Sequence, residues 1–380
     1  MLPRTLFSAE HETFRSTLRR FLENEAVPFH EQWEEAGQVP AEFWRKGGEQ
    51  GFLCPMVAEE YGGVGADFLY SVIVDEEIAR ASLTGIGWGL HTDIVAPYIE
   101  HYGSEEQKQA YLPKMVTGEL ITAIAMTEPG AGSDLQGVKT TAVKDGDHYL
   151  INGSKTFITN GQNADLVIVV AKTDPSKGAH GTSLFLIEAG TPGFEKGKNL
   201  KKIGLKAQDT SELFFQDVRV PATALLGQEG MGFIYLMQEL PQERLNIAIT
   251  AIAQAESALE QTIAYVKERK AFGKPVAHFQ NTQFTLAELY TQVQSARVYL
   301  DHCISLHLDK KLDIPTAAGL KFLTTDLQCK VIDECLQLHG GYGYMWEYPI
   351  ARMYADSRIQ RIYGGTNEIM KTIVSRAILS

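Results

Sequence analysis

Near the start of the chain, Phe7, Phe14, Leu18, Phe21 and Leu22 recur at close to helical spacing among Glu, Arg and Thr. A single buried stripe on an amphipathic helix produces that pattern. A second helical stretch carries Phe43-Trp44 and is expected to end at Gly47-Gly48. Glu59-Glu60-Tyr61-Gly62-Gly63 reads as a loop, and Phe68 to Ala79 as another amphipathic helix. Ser104 opens a further helix, because its hydroxyl can cap free N–H groups while Gln107 answers from three residues on. Pro113 is expected to interrupt it.

From about 121 to 225 the period shortens. Tyr149-Leu150-Ile151, Lys155 to Thr159, Leu166 to Val170 and Ser183 to Ile187 are short β-prone runs. Asn152-Gly153 and Asn160-Gly161 separate them as turns. No long helical pattern intervenes, so a compact β domain is expected over a βαβ unit. The lysines at 196, 198, 201, 202 and 206 read as a solvated face. Helical spacing returns with Leu245, Ile249, Ile252, Leu259, Ile263 and Val266. Two more blocks of four-helix-bundle length follow, Thr282 to Leu308 and Ala317 to Leu338. The order is helical, β, helical.

Composition narrows the function. The chain has 380 residues with 35 basic and 47 acidic side chains, a formal charge of −12. That balance offers no footprint for nucleic acid. The share of hydrophobic residues, 44%, fits a globular chain of two or three domains rather than a disordered one. No secretory or organelle-targeting segment and no spanning stretch is visible, so a cytoplasmic location is expected. Cys54, Cys303, Cys329 and Cys335 form no CxxC pair and read as free thiols. No metal is expected, since the ten histidines form no HExxH.

Several segments carry candidate chemistry. Ile124-Ala125-Met126-Thr127 ends a strand and runs through Glu128-Pro129-Gly130-Ala131-Gly132 to Ser133-Asp134. It is either a surface turn or a place of close backbone approach to a ligand, with the Thr127 and Ser133 hydroxyls at hand. No GK[ST] and no strand–helix GxGxxG accompanies it, so neither familiar nucleotide loop is present. Phe157-Ile158-Thr159 is either a strand entering a hairpin or an aromatic wall beside a planar ligand. Pro241, in Leu240-Pro241-Gln242-Glu243-Arg244, either starts the long helix or lies inside it and re-aims Glu243 into a cavity. The glycines of His339-Gly340-Gly341 and Tyr363-Gly364-Gly365 sit at helix junctions, where free N–H groups can hold phosphate oxygens.

Together these strings resemble the acyl-CoA dehydrogenase family. The resemblance rests on Ala-Met-Thr-Glu-Pro-Gly-Ala-Gly-Ser-Asp (125–134), Arg-Lys-Ala-Phe-Gly-Lys (269–274), Gln-Leu-His-Gly-Gly-Tyr-Gly-Tyr (337–344) and Ile-Tyr-Gly-Gly-Thr-Asn-Glu-Ile (362–369). It spans essentially the whole chain. Leu-Pro-Gln-Glu-Arg-Leu (240–245) and Met-Trp-Glu-Tyr-Pro-Ile (345–350) are most similar to the family's long-chain branch. The resemblance implies an α+β chain: an N-terminal helical domain over 1–121, a middle β-barrel or sandwich domain over 122–229, and a C-terminal four-helix bundle over 230–380. It also implies FAD, an acyl-CoA substrate, electron-transferring flavoprotein as electron acceptor, and a homotetramer built as a dimer of dimers. By motif, Ile124, Ala125, Met126, Thr127 and Ser133 cradle the flavin, with Phe157, Ile158 and Thr159 on its other side. Arg269, Phe272, Gln280, Gln337, Leu338, His339, Gly340 and Gly341 bind FAD across a subunit interface, and Thr366, Asn367 and Glu368 contact the dinucleotide. Ser133, Leu240, Pro241, Gln242, Arg244, Gly364 and Gly365 flank the acyl-CoA.

The resemblance places the catalytic base at Glu243. Many members carry their glutamate after Tyr in a Tyr-Glu-Gly-Thr string, where this chain has Gly364. Long-chain and isovaleryl-type members instead carry it in a Glu-Arg-Leu string. Gly364 retains a backbone N–H for the thioester oxygen. Glu243 is expected to remove the α-proton, with a pKa raised toward neutrality by burial. Gly85 to Gly89 falls in the acyl-tail region, where small residues open a tunnel and Trp88 either closes it or packs in the core. Alternatives are a branched-chain or terpenoid substrate, an acyl-CoA oxidase, and a non-catalytic acyl-CoA-binding scaffold.

Overall fold

The computed structural model describes residues 2–379; Met1 and Ser380, the outer ends of the expected domain ranges, lie outside the described residues. The first part is helical: α1 (Ala9–Glu25), α2 (His30–Ala36), α3 (Ala41–Glu49), α4 (Phe68–Arg80), α5 (Ala96–Tyr102) and α6 (Glu105–Val116). Leu18 and Leu22 of α1 are buried, with Phe14 and Phe21 packed at the cluster's edge. Ser104 and Gln107 cap α6 reciprocally, as their spacing predicts. Three boundaries differ from expectation. Helix α3 continues past Gly47-Gly48, a single 3-10 turn (Glu59–Tyr61) forms within the expected loop, and α6 passes through Pro113. Pro113 is tolerated because Leu112 and Met115 on either side bury against the core, and tertiary packing outweighs one lost hydrogen bond.

Strands β1 (Thr122–Ala125), β2 (Thr141–Asp145), β3 (His148–Thr159), β4 (Leu166–Lys172), β5 (Thr182–Glu188), β6 (Phe194–Asn199), β7 (Thr210–Pro221) and β8 (Leu225–Leu226) form one eight-stranded sheet. Its order is β6-β7-β3-β2-β4-β5-β8, with β1 parallel to β4. All seven residues of β4 are buried, which explains its unbroken apolar run. Leu166, Ile168 and Val170 face helical residues such as Tyr98 and Leu236, while Val167, Val169 and Ala171 face the other strands.

Two expectations about this region are corrected. Asn152-Gly153 is not a hairpin turn: the two β-prone runs are one strand, β3, and Gly153 lies at a register shift against β7. A β-bulge takes the same small residue as a turn, so the local signal was ambiguous. The lysines are not one solvated face either. Lys196 Nζ donates to the carbonyls of Gln162 and Ala164, Lys202 donates to that of Gln208, and the Lys206 ammonium lies 3.8 Å from the Trp346 ring centroid.

The last part holds α7 (Gly232–Glu268), a small hairpin of β9 (Lys270–Ala271) and β10 (Lys274–Pro275), then α8 (Gln280–Leu308), α9 (Ile314–His339), α10 (Pro349–Ser357) and α11 (Asn367–Leu379). Helix α7 begins well before Pro241, which therefore lies inside it. That position removes one helical donor, a cost of about 3 kcal/mol in an isolated helix. The chain's helical parts meet in one core, where Phe68, Leu69 and Val72 of α4 pack against Leu245, Ile249 and Ile252 of α7 and Val331 of α9. Beside it, Glu76 of α4 takes hydrogen bonds from Arg4, Arg15 and Arg297, and Arg297 also grips Glu256.

Candidate active site

Between α4, α7, the sheet and the turn before α11 lies a cavity of about 280 Å³. Glu243 and Gly364 both line it, as do Ile124, Met126, Thr127, Phe157, Ile158 and Thr159. Residues predicted from segments more than a hundred positions apart therefore meet at one surface.

Glu243 is 6% exposed and, among the described residues, accepts one hydrogen bond, from the Tyr98 hydroxyl to Oε1 at 3.0 Å. Burial pushes its pKa up to about 7, against the opposing pull of that hydrogen bond and of the Arg244 charge. The carboxyl therefore exchanges its proton near neutral pH, where charged and neutral forms are both populated. Three residues along α7, the Asn246 amide donates to Asp93 Oδ2 at 3.0 Å and to Asp75. Both carboxyls are buried, and burial raises both pKa values, Asp93 to about 7. Asp93 lies in a π-helical turn, Leu90–Val95, leading into α5, a local widening often found near functional sites.

Gly364 has φ +62°, and its N–H has no hydrogen-bond partner among the described residues. A Cβ there would come within 2.4 Å of Ile247 Cδ1. Conformation and space both favour glycine, leaving a donor with no partner among the described residues on the wall of the cavity that Glu243 also lines.

The sheet side suits a planar ring. Phe157 is 68% exposed with φ +60°, a strained state of about 1–3 kcal/mol for such a residue. It sits where β3 shifts register between Lys155 and Ile158, so the bulge aims the ring outward. Buried Lys155 steadies the opposite turn, its Nζ donating to Met126 O at 3.0 Å and Glu128 Oε1 at 2.8 Å. An exposed aromatic face flanked by Thr127, Thr159, Ile124 and Met126 fits a flavin.

Other predicted residues lie outside the cavity lining. Ala125 packs into the sheet core and Ser133 sits in an exposed turn. Leu240 is buried, Pro241 is half-buried, and Gln242 donates to Asp93 O at 2.7 Å. Arg244 is buried, with no hydrogen-bond partner for Nε or Nη1 among the described residues. Gly365 O accepts from Lys321 at 2.8 Å. The Asn367 amide engages Lys321, Thr325 and Asp326, while Thr366 Oγ1 caps Ile369 N. Glu368 is exposed on the first turn of α11. A second group gathers around the end of α9. The Arg269 guanidinium lies 5.3 Å from the Tyr342 centroid, and His339 stacks on Tyr265 at 4.3 Å. Gln280, Gln337, Gly340 and Gly341 are exposed, Leu338 is half-buried, and Phe272 is 96% exposed.

Trp88 is fully buried against Phe43 and Gly47 and is core, whereas Ile86 lines the cavity. Gly87 has a packing reason of its own, since a Cβ there would lie 2.1 Å from Asn160 Oδ1. Sequence reasoning missed Tyr98, Asp75, Asp93 and Asn246. Asn246 carried a weak signal, three residues from Glu243 on one helix face. Tyr98 carried none.

A buried carboxyl with a raised pKa and a backbone N–H without a partner among the described residues line one cavity, beside an exposed aromatic wall suited to a flavin, and together fit the flavoprotein oxidoreductase class. Sequence models of the acyl-CoA dehydrogenase N-terminal, middle and C-terminal domains match residues 8–119, 123–218 and 230–379. The chain is 56% identical over 378 residues to the long-chain specific acyl-CoA dehydrogenase, mitochondrial, of Sus scrofa, covering 99% of this chain and 88% of that protein. It is similar to the crystal structure of acyl-CoA dehydrogenase from Geobacillus kaustophilus, with a TM-score of 0.97 and 54% identity over 99% of this chain and 100% of that one. The structure of an acyl-CoA dehydrogenase complexed with FAD from Bacillus anthracis gives a TM-score of 0.93 at 35% identity, covering 98% of this chain and 68% of that one. The chain belongs to the acyl-CoA dehydrogenase family and is an oxidoreductase of that class.

Proposed function

We propose that the chain carries out FAD-dependent α,β-dehydrogenation of saturated long- or medium-chain acyl-CoA thioesters to trans-2-enoyl-CoA in fatty-acid β-oxidation. The observation that carries this reading is the shared cavity of Glu243 and Gly364. Glu243 takes the α-proton, and its raised pKa makes it a competent base near pH 7. The Gly364 N–H donates to the thioester oxygen as negative charge develops there. Phe157, Thr127 and Thr159 hold the isoalloxazine ring, and Ile78, Ile86, Leu90 and Ile94 shelter the acyl chain from water. FAD, when bound, supplies the acceptor for the β-hydrogen and its electron pair.

Long chains are favoured because Trp88 leaves the cavity open and because the Sus scrofa relative is named for them. Electron-transferring flavoprotein as acceptor and a dimer-of-dimers tetramer rest on the family likeness. The exposed group around Arg269 and Phe272 supports FAD contacts across a subunit boundary. The division at 121 and 229, and the roles of Ser133, Arg244 and Glu368 toward substrate or cofactor, belong to the same proposal. Four free cysteines support a reducing compartment such as the cytoplasm, and no described helix is long and apolar enough to cross a membrane. Anaerobic titration of the FAD-loaded enzyme with thioesters from butyryl- to stearoyl-CoA tests the reading. Flavin bleaching greatest with the longer chains is expected; absence of bleaching by every thioester overturns it. Turnover with electron-transferring flavoprotein rather than oxygen separates a dehydrogenase from an oxidase.

A further inference from the structure

We propose that Tyr98 is the positioning residue for the base, an inference that rests on reading Glu243 as the proton acceptor. Tyr98 stands on α5 directly after Pro97 and is 0% exposed. Its hydroxyl makes one hydrogen bond among the described residues, the 3.0 Å donation to Glu243 Oε1. It does not line the cavity, so it acts through Glu243 and not on substrate.

The geometry divides the carboxylate's two oxygens. Oε1 is held by Tyr98, while Oε2 has no protein hydrogen bond among the described residues and is left for the α-proton. A hydrogen bond to a carboxylate is stronger than one to the neutral acid, so Tyr98 favours the charged form that burial disfavours. It also holds the side chain in one orientation, which a general base needs before it can reach a carbon acid. The phenol stays a donor throughout the working range, because burial and the nearby Glu243 charge raise its own pKa. Once Glu243 has taken the proton, the same contact weakens.

Other charged groups surround this pair without hydrogen-bonding to Glu243. Glu239 lies one turn earlier on α7 and is held by His101 and Tyr102 of α5. Arg244 follows on α7, and Lys321 of α9 lies within its electrostatic reach. Asp75 and Asp93 are clamped by Asn246, and Tyr363 adjoins Gly364 on the cavity wall. Their fields are common to the wild type and a Tyr98 variant, so the difference between the two reports the hydroxyl.

The test is stopped-flow flavin bleaching by one acyl-CoA across pH, using the FAD-loaded enzyme and Tyr98→Phe. The midpoint of the acid limb is expected to move up by about one pH unit, a roughly tenfold lower rate at pH 6. The dissociation constant for acyl-CoA is expected to stay within about twofold, because Tyr98 does not touch substrate. Replacement of Tyr98 by 3,5-difluorotyrosine, a stronger donor of nearly the same shape, is expected to move the midpoint down. An unchanged midpoint in both variants, or a loss confined to substrate affinity or thermal stability, overturns the proposal. Glu243→Gln, measured in parallel, tests the underlying reading separately: full bleaching by that variant removes the base itself, whatever Tyr98 does.

Discussion

Glu243 and Glu76 are both buried carboxylates on helices of the same core, 6% and 2% exposed, yet they are tuned in opposite directions. Burial raises the pKa of each. At Glu76 that effect is overcome by Arg297, Arg4 and Arg15, whose guanidinium nitrogens lie 2.6–3.0 Å away, and the pKa falls to about 2. At Glu243 one phenol and the Arg244 charge oppose burial, and the pKa rests near 7. Desolvation is shared, so the number and charge of partners decides whether a buried carboxyl is a fixed anion or titrates near neutral pH.

The contrast is broken most severely at Glu243. Glu243→Gln is expected to slow flavin reduction by acyl-CoA about 10³-fold, with the visible flavin spectrum retained, as read by stopped-flow absorbance. The structural counterpart is Arg297→Met, which leaves Glu76 and Glu256 short of compensation. Urea unfolding is expected to show a loss of about 3–5 kcal/mol, with the reduction rate of the folded enzyme within about twofold of wild type. Gly364→Ala probes the proposed N–H donor on the same cavity wall. Its φ of +62° and the 2.4 Å approach of a Cβ to Ile247 predict a loss of about 1–2 kcal/mol and slower reduction. Adding Ile247→Val is expected to recover part of both.

The pH dependence of stability sharpens the comparison further. The folded pKa of Glu76 is depressed from 4.5 to about 2, so its stabilisation is present above pH 4.5 and lost as pH falls through about 2. Glu243 has the opposite sign, being raised from 4.5 to about 7, so its favourable contribution is complete below pH 4.5 and lost as pH rises through about 7. Thermal melts are therefore expected to show Glu243→Gln more stable than wild type above pH 7, with the gap closing toward pH 4.5. The smallest expected effect is on chain-length preference. Ile86→Phe narrows the cavity and should shift the kcat/KM maximum toward shorter thioesters, whereas Trp88→Phe should lower Tm and leave that maximum in place.

Much of the framework was legible locally. The α1 stripe, the Ser104–Gln107 cap and the apolar run of β4 each follow from side chains a few residues apart. That Glu243 and Gly364 line one cavity was legible only through motif likeness, which singled out both short strings as candidate site segments. Pro113 and Gly153 misled for one reason: the local preference of each was overruled by packing or by a bulge in a longer strand.

By itself, then, the sequence determined the helical–β–helical order and the family, and it singled out Glu243 as the candidate base, since periodicity and motifs are properties of neighbouring residues. The tertiary structure alone decided that Tyr98 donates to a glutamate 145 positions away, that Trp88 packs in the core, and that Phe157 is turned outward by a bulge. Those facts depend on distances across the fold and on the water excluded by its packing. The same exclusion of water raises the pKa of Glu243, and at Glu76 three guanidinium partners brought together by the fold reverse it.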